Sequence, residues 1–258
     1  MIPKSALITG ASRGIGAALA RALPSSTHLT LTARDADALD EVAGSLGAPG
    51  RRVETVAGDL TRSADRERLI EAAEAAEIDL LINNAAVGHF GPFLGVEASR
   101  HLEAVQVNLA APIALTRTLL PGMLRRAKSE ARKCGLINMG STAGFAPVPR
   151  FAIYAASKAM LHSWSVALAE ELRCEPIHVL TALPGSTRTT FGQSAGFGMR
   201  TIPGSRDPDA VARDIVGALG RRSLIVTSHT LRPAELPLRV ANRLFTGLIG
   251  RATRALSG

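Results

Sequence analysis

Tyr154 and Lys158 are the residues whose types and spacing point most directly to chemistry. They stand four positions apart in Tyr-Ala-Ala-Ser-Lys, so a helix would place both side chains on one face. An ammonium group near a phenol favours the phenolate and lowers the pKa of the tyrosine, which makes the phenol usable as a proton donor or acceptor near neutral pH. Two unrelated surface residues would show the same spacing, so the interpretation depends on the rest of the chain.

A glycine-rich turn, Thr-Gly-Ala-Ser-Arg-Gly-Ile-Gly, covers residues 9–16 directly after the first apolar strand-like run. Glycines permit a tight turn and a close approach of the backbone to a phosphate, and the following helix offers free N–H groups at its positive end. Its place at the first strand-to-helix junction favours dinucleotide binding over a purely structural turn. The candidate contacts are Gly10, Ser12, Arg13, Gly14, Ile15 and Gly16.

The residues after the second strand-like run bear on which dinucleotide binds. A site for NAD usually has an acidic residue there, which binds the ribose 2′-hydroxyl. If that position aligns with Ala33, no carboxylate opposes a 2′-phosphate, and Arg34 with Arg13 can bind one. In the alternative, both arginines are solvated and Asp35 binds the ribose. The pattern favours NADP(H).

Strand-like and helical segments alternate along the chain to about residue 230. Short runs that are apolar on both faces are typical of a parallel sheet covered by helices. We therefore predict a single doubly wound Rossmann domain of the α/β class with about seven strands. The predicted strands are 6–9, 29–32, 53–57, 80–83, 136–139, 178–182 and 224–227, and the main helical segments are 15–23, 36–46, 66–76 and 96–124.

Two prolines refine the predicted helices. Pro112 lies inside the segment 96–124, where a proline predicts a kink or a local widening of the helix. Asp207 followed by Pro208 predicts a capped helix start, with the helix over 209–219.

Composition excludes several classes of protein. The chain has 258 residues, of which 46% are hydrophobic and 20% charged, as in ordinary soluble domains. Its two cysteines and six histidines show no metal or disulfide spacing, so neither kind of site is predicted. The net charge of +8 permits contact with polyanions, but the cations form no nucleic-acid-binding motif and we expect no such partner. With no signal-peptide pattern and no apolar run approaching ~20 residues, we expect a cytoplasmic protein.

Over residues 4 to about 228 the chain resembles the short-chain dehydrogenase/reductase family. The resemblance rests on the turn 9–16 and on Asn-Asn-Ala-Ala at 83–86, where Ala86 replaces the glycine of the family. It rests further on Asn108, on Ser141 thirteen positions before Tyr154, and on Pro-Gly-Ser-Thr-Arg-Thr at 184–189. It implies an adenine contact from Asp59, and further cofactor contacts from Leu60, Asn84, Ala85, Tyr154, Lys158, Pro184, Gly185, Thr187 and Thr189.

The resemblance also implies a catalytic tetrad of Asn108, Ser141, Tyr154 and Lys158. NADPH would supply hydride to a carbonyl carbon while Tyr154 protonates the oxygen. Lys158 would lower the pKa of Tyr154 and hold the nicotinamide ribose, Ser141 would hydrogen-bond the carbonyl oxygen, and Asn108 would hold a water that links Lys158 to solvent. We expect a ketone or aldehyde reductase, or the reverse alcohol dehydrogenase. The alternatives are a 3-oxoacyl-thioester reductase and a non-catalytic NADPH-binding sensor or scaffold.

Three loops are expected to shape the substrate pocket: 87–93, 145–151 and 190–206. The last is interpreted as a lid, with a plain connector as the alternative. Val87, Phe90, Phe93, Phe145, Val148 and Phe197 are the predicted lining, which favours an apolar or bulky carbonyl compound.

The predicted Rossmann domain covers residues 1–230, including a substrate loop at 185–206. A basic amphipathic extension follows at 231–258. Within it, 234–256 is expected to pack on this subunit or a partner, or else to lie on an anionic membrane as a peripheral contact. We also expect a homodimer or homotetramer.

Overall fold

The computed structural model describes residues 1–197, 204–228, 231–242, 244 and 246. Within these ranges, seven strands form one parallel sheet in the order β3-β2-β1-β4-β5-β6-β7. Its strands are β1 (Ser5–Thr9), β2 (His28–Thr32), β3 (Val53–Thr55), β4 (Leu80–Asn83), β5 (Cys134–Met139), β6 (Ile177–Leu183) and β7 (Leu224–Val226). The strand order reverses at β1, next to β4, which confirms the predicted doubly wound fold.

Helices cover both faces of the sheet. In the described part of the chain they are α1 (Gly14–Ala22), α2 (Ala36–Ser45), α3 (Ser63–Ala75), α4 (Ala98–Val105), α5 (Ala111–Ser129), α6 (Ala152–Glu171), α7 (Phe191–Ser194) and α8 (Pro208–Ala218). Successive side chains of a strand point to opposite faces. In β1, Ile8 therefore packs with α1 and α8, whereas Leu7 packs with α3 and α5. This explains why the strands are apolar on both faces.

A π-helical turn, Gln106–Ala110, joins α4 to α5. It lies directly before Pro112, so the widening predicted there is confirmed. Because a proline has no N–H, the regular hydrogen-bond pattern cannot continue through this position, and a wider turn accommodates the defect. The turn contains Asn108, whose side chain faces the buried interior.

By length and composition alone, the continuous helix Ala98–Ser129 could cross a membrane. The expectation that no apolar run approaches the length of a span is therefore too strict. A buried core helix meets the same criterion, however, and Leu115, Leu119 and Met123 of α5 are buried against the sheet. Packing within this domain accounts for the apolar content of the helix.

Helix α8 begins as its sequence predicts, at Pro208 with Asp207 as the cap. Oδ1 of Asp207 accepts hydrogen bonds from the backbone N–H groups of Asp209 at 3.0 Å and Ala210 at 3.3 Å. These bonds and the nearby Arg188 lower the pKa of the Asp207 carboxyl.

We expect Asp207→Ala to lower Tm by a few degrees, because two N–H groups at the helix start lose their acceptor. Thermal unfolding followed by circular dichroism would measure the change. Asp207→Asn keeps a capping oxygen and should retain most of the stability. Equal losses in the two variants would contradict the capping role.

The start of the predicted C-terminal extension packs on this subunit. After a short turn (Arg232–Ala234), residues 235–242 are helical. Glu235 accepts a hydrogen bond from the Val226 N–H at 3.1 Å and another from Arg222 at 2.9 Å, and Leu238 packs against β6 and β7. Positions 243, 245 and 247–258 lie outside the described residues, so membrane contact by the rest of the extension stays a prediction.

Candidate active site

The glycine-rich turn connects β1 to α1 and lies close to the chain that follows β4. Gly10 has a φ of +66° and Gly14 a φ of +57°, a conformation that favours glycine. A Cβ on Gly10 would lie 2.8 Å from the Cα of Ala85, and one on Gly16 would lie 2.6 Å from Nδ2 of Asn84. The backbone therefore forms a concave surface that side chains at these positions would disrupt.

Asn84 and Thr9 hold this turn in place. Nδ2 of Asn84 donates to the carbonyl oxygens of Thr9 at 2.8 Å and Gly10 at 3.1 Å. In return, the Thr9 hydroxyl accepts from the backbone N–H groups of Asn84 at 3.0 Å and Ala85 at 2.9 Å. The Asn-Asn-Ala segment thus supports the phosphate-binding turn by direct hydrogen bonds.

A cleft of about 850 Å³ runs across the carboxyl ends of the strands. It is lined by all but one of the predicted cofactor contacts: Gly10, Ser12, Arg13, Gly14, Ile15, Gly16, Arg34, Leu60, Asn84, Ala85, Tyr154, Lys158, Pro184, Gly185, Thr187 and Thr189. Asp59 instead borders a smaller neighbouring cavity. Its Oδ1 accepts from the Thr61 N–H at 2.9 Å, and the predicted contact of this carboxylate with adenine stays a prediction.

The residues that follow β2 line one end of the cleft. Ala33 directly follows β2, and Asp35 lies two residues further on, where it caps α2. The second carboxylate oxygen of Asp35 pairs with Arg13 at 2.5 Å. Arg34 pairs with Glu103 at 2.9 Å and is more than half exposed. The strand end therefore carries no carboxylate, and this part of the cleft is lined by two guanidinium groups together with the carboxylates of Asp35 and Glu103 that pair with them.

Three members of the predicted tetrad meet at the middle of the cleft. Tyr154 and Lys158 lie one turn apart on α6, and Ser141 follows β5. The Ser141 side chain hydrogen-bonds Tyr154 and also accepts from the Ala143 N–H at 3.1 Å. Nζ of Lys158 donates to the Met139 carbonyl at 2.8 Å and lies 5.7 Å from the centre of the Tyr154 ring.

Asn108, the fourth member, lies behind the cleft. Its Nδ2 donates to the Val87 carbonyl at 2.9 Å and to Oγ of Ser157 at 3.0 Å, and its Oδ1 accepts from the Val87 N–H at 2.9 Å. Oγ of Ser157 in turn donates to the Tyr154 carbonyl at 2.7 Å. Asn108 therefore connects the loop after β4 to the helix that carries Tyr154 and Lys158. The water predicted between Asn108 and Lys158 stays a prediction.

Burial shifts the ionisation of both central residues toward their neutral forms. Desolvation raises the pKa of Tyr154 to about 12, although the hydrogen bond with Ser141 opposes the change. Desolvation likewise lowers the pKa of Lys158 to about 8. The net shift of the Tyr154 pKa is therefore upward, and the lowering by Lys158 expected from their spacing stays a prediction.

The predicted substrate pocket is correct in part. Val87, Val148 and Phe197 line the cleft, but Phe90 lies behind this lining, and Phe93 and Phe145 do not reach it. Phe93 is 59% exposed and stacks on His101 instead.

Two further lining rings, Phe151 and Phe191, belong to the predicted pocket loops 145–151 and 190–206 but are not among the six predicted lining residues. The position of Phe151, three residues before Tyr154 and so on the same side of a helix, was a usable signal. Phe191 begins α7 within the predicted pocket loop 190–206. Residues 198–203 of that loop lie outside the described residues, so its role as a lid stays a prediction.

This chain is similar in sequence and in fold to known proteins. The sequence matches the family described as short chain dehydrogenase over residues 4–197. It is 33% identical over 237 residues to a very-long-chain 3-oxoacyl-CoA reductase of Coccidioides immitis, and the match covers 88% of this chain and 65% of that protein. The chain thus spans less than two thirds of the length of this curated relative.

Two solved structures are similar over most of the chain. A short-chain dehydrogenase from Sphingobium yanoikuyae in complex with NADPH is 32% identical, with a TM-score of 0.75 and coverage of 98% of this chain and 95% of that one. A 3-ketoacyl-(acyl-carrier-protein) reductase from Brucella melitensis complexed with NADH is 28% identical, with a TM-score of 0.77 and coverage of 87% and 96%. With its doubly wound sheet and its Ser141–Tyr154–Lys158 cluster, this chain belongs to the short-chain dehydrogenase family of oxidoreductases.

Proposed function

We propose that this protein is an NADPH-dependent carbonyl reductase that acts on a ketone or aldehyde, or on the alcohol in reverse. The observation that carries the proposal is the pairing of the partly buried Tyr154 and Ser141 side chains in a cleft that begins at the glycine turn. The close packing of Gly10 and Gly16 fits a pyrophosphate, which needs direct access to backbone N–H groups. When bound, NADPH supplies the hydride for the carbonyl carbon.

The residues at the centre of the cleft supply the proton and the orientation. The Ser141 and Tyr154 hydroxyls would hold the substrate oxygen between them as negative charge develops on it. Because the pKa of Tyr154 is about 12, its phenol is protonated at neutral pH and ready to act as a general acid in the reduction. Nζ of Lys158 lies 5.7 Å from the centre of the Tyr154 ring, and its pKa of about 8 suits a role in returning the proton near neutral pH.

The geometry after β2 supports NADPH over NADH. The similar structures contain one cofactor or the other, so the residues of this chain decide the matter. Ala33 places no carboxylate at the end of β2, and the partly exposed guanidinium groups of Arg34 and Arg13 can bind a 2′-phosphate. The phosphate would replace the exposed ion pairs with Glu103 and Asp35, and such pairs are weak in water.

We expect Arg34→Ala to lower kcat/KM with NADPH by about tenfold to a hundredfold, since a charge-assisted bond to phosphate is lost. The value with NADH should stay nearly constant, because NADH has no 2′-phosphate. Arg173→Ala, which removes an exposed arginine beyond α6 and outside the cleft, is the matched control. Equal losses with the two cofactors would show that Arg34 does not bind the phosphate.

The function itself is tested with a panel of ketones, aldehydes and 3-oxoacyl thioesters, with NADPH oxidation followed by absorbance. Turnover of simple ketones supports the proposal. Preferential turnover of 3-oxoacyl thioesters would favour the second candidate, a 3-oxoacyl-thioester reductase, which the name of the Coccidioides relative suggests. NADPH binding with no turnover of any carbonyl would favour a sensor or scaffold.

A further inference from the structure

Aromatic residues are scarce in this chain and are concentrated at one place. The sequence contains seven Phe, one Tyr and one Trp, which is 3% of its residues. Among the residues that the structure describes, five of these rings surround the start of α6. They are Phe90, Phe151, Tyr154, Phe191 and Phe197. They come from three separate segments of the chain, so the fold assembles the cluster.

The rings contact one another directly. Phe151 stacks on Tyr154, with ring centres 4.4 Å apart and an angle of 21° between the planes. Phe197 stands edge-on to Phe151 at 4.9 Å and stacks on Phe90 at 4.4 Å, while Phe191 lies 5.3 Å from Tyr154. Phe151, Phe191 and Phe197 line the cleft beside the Tyr154 hydroxyl, and we call these three rings the aromatic wall.

Two backbone hydrogen bonds, one between two loops and one within residues 191–197, support the aromatic wall. The Phe90 N–H donates to the Ala195 carbonyl at 2.7 Å, and the Phe197 N–H donates to the Gly192 carbonyl at 2.8 Å. Gly88 also lies close to the stack, since a Cβ there would be 2.7 Å from Cζ of Phe151. The wall therefore has its shape before a substrate arrives.

Polar side chains near the wall are largely used within the protein. Nε2 of His89 lies 3.1 Å from Oε2 of Glu103, and the Ser194 hydroxyl donates to the Thr190 carbonyl at 3.1 Å. Among the described residues, these two side chains are therefore already engaged within the protein. A wall of rings next to the Ser141 and Tyr154 hydroxyls suits a carbonyl compound with a flat apolar substituent.

We propose that the substrate carries an aromatic ring beside its carbonyl group, and that the aromatic wall determines this preference. The inference rests on the proposed carbonyl reductase function and names its substrate class. Aromatic rings attract one another in stacked and edge-to-face arrangements beyond the effect of buried area alone. A saturated ring of similar size buries comparable area but lacks this attraction, so the contacts with the wall discriminate between the two by about tenfold.

The experiment uses the full-length protein with NADPH and compares acetophenone with cyclohexyl methyl ketone. The two ketones share a carbon skeleton but differ in the planarity of the ring. Conjugation makes acetophenone intrinsically less reactive, so the readout is the change in the ratio of their kcat/KM values between variants. We expect Phe191→Leu and Phe197→Leu each to lower the ratio, aryl over cyclohexyl, by about fivefold to tenfold. The remote variant Phe93→Leu should leave it unchanged.

NADPH affinity, measured by fluorescence titration, and Tm show whether each variant is folded and able to bind the cofactor. Wall variants that reduce both ketones with an unchanged ratio would overturn the inference while the carbonyl reductase function stands. A 3-oxodecanoyl thioester reduced more efficiently than either ketone would also overturn it. Failure to reduce any carbonyl compound would refute the proposed function and the inference together.

Discussion

Tyr154→Phe is expected to lower kcat for carbonyl reduction by about a hundredfold to ten-thousandfold and to leave NADPH affinity nearly unchanged. The substitution removes the hydroxyl that would donate the proton, whereas the ring keeps its stack on Phe151 at 4.4 Å. The glycine turn is untouched, so the phosphate contacts remain. Steady-state kinetics and fluorescence titration with NADPH measure the two quantities separately.

Ser141→Ala is the matched control for the loss of the proton donor in Tyr154→Phe. It removes the hydroxyl that hydrogen-bonds Tyr154 but leaves the proton donor in place, so its effect on kcat should be smaller. Substantial reductase activity in Tyr154→Phe would refute the assignment of Tyr154 as the general acid. A parallel loss of NADPH affinity would show instead that the phenol serves the cofactor site.

Lys158→Met is expected to stabilise the folded protein at pH 7 by roughly 2 kcal/mol while it lowers turnover by about a hundredfold or more. Lys158 is only 2% exposed, and desolvation lowers its pKa from 10.5 to about 8. A shift of this size corresponds to about 3 kcal/mol of destabilisation whenever the amine is charged. Methionine removes that cost of desolvation. It also removes the hydrogen bond to the Met139 carbonyl, and this loss lowers the free energy of unfolding by about 1 kcal/mol.

The pH dependence follows from the same shift. Below pH 8 the amine is charged in both the folded and the unfolded state, and the folded protein carries the full cost of desolvation. Between about pH 8 and 10.5 the unfolded state binds the proton and the folded state does not, so the stability of the wild type rises with pH. The advantage of Lys158→Met should therefore be greatest near pH 7 and should disappear toward pH 10.5.

Denaturant unfolding of the wild type and Lys158→Met at pH 7, 9 and 10.5 measures this difference in the free energy of unfolding. Lys128→Met, which removes an exposed lysine paired with Glu175, should show no comparable gain. If Lys158→Met is less stable than the wild type at pH 7, the hydrogen bond to Met139 outweighs the desolvation of the amine. The expected gain would mean that Lys158 is kept for its role in turnover although it lowers the stability of the folded protein.

Much of the fold and part of the site can be predicted from the sequence, because local signals carry them. Short apolar runs indicate strands buried on both faces, and all seven predicted strands are present in the described sheet. The Asp207 cap and the widened turn before Pro112 likewise depend on neighbouring residues, and the glycine turn is recognised from its local pattern although Asn84 holds it in place. Tyr154 and Lys158 share a helical face because their spacing requires it.

Properties that depend on burial or on distant segments are decided only by the tertiary structure. The pKa of Tyr154 rises because other parts of the chain exclude water from it, which its spacing from Lys158 does not reveal. Asp59 borders a neighbouring cavity and not the main cleft, which its position after β3 does not reveal. The aromatic wall requires the start of α6 and the segment around α7 to meet, although Phe151 and Phe191 are forty positions apart in the sequence. The sequence alone therefore determined the chemistry of this site, through residue types at local spacings. The solvation of the site and the shape of its substrate side arise from contacts between distant segments, which only the folded chain brings together.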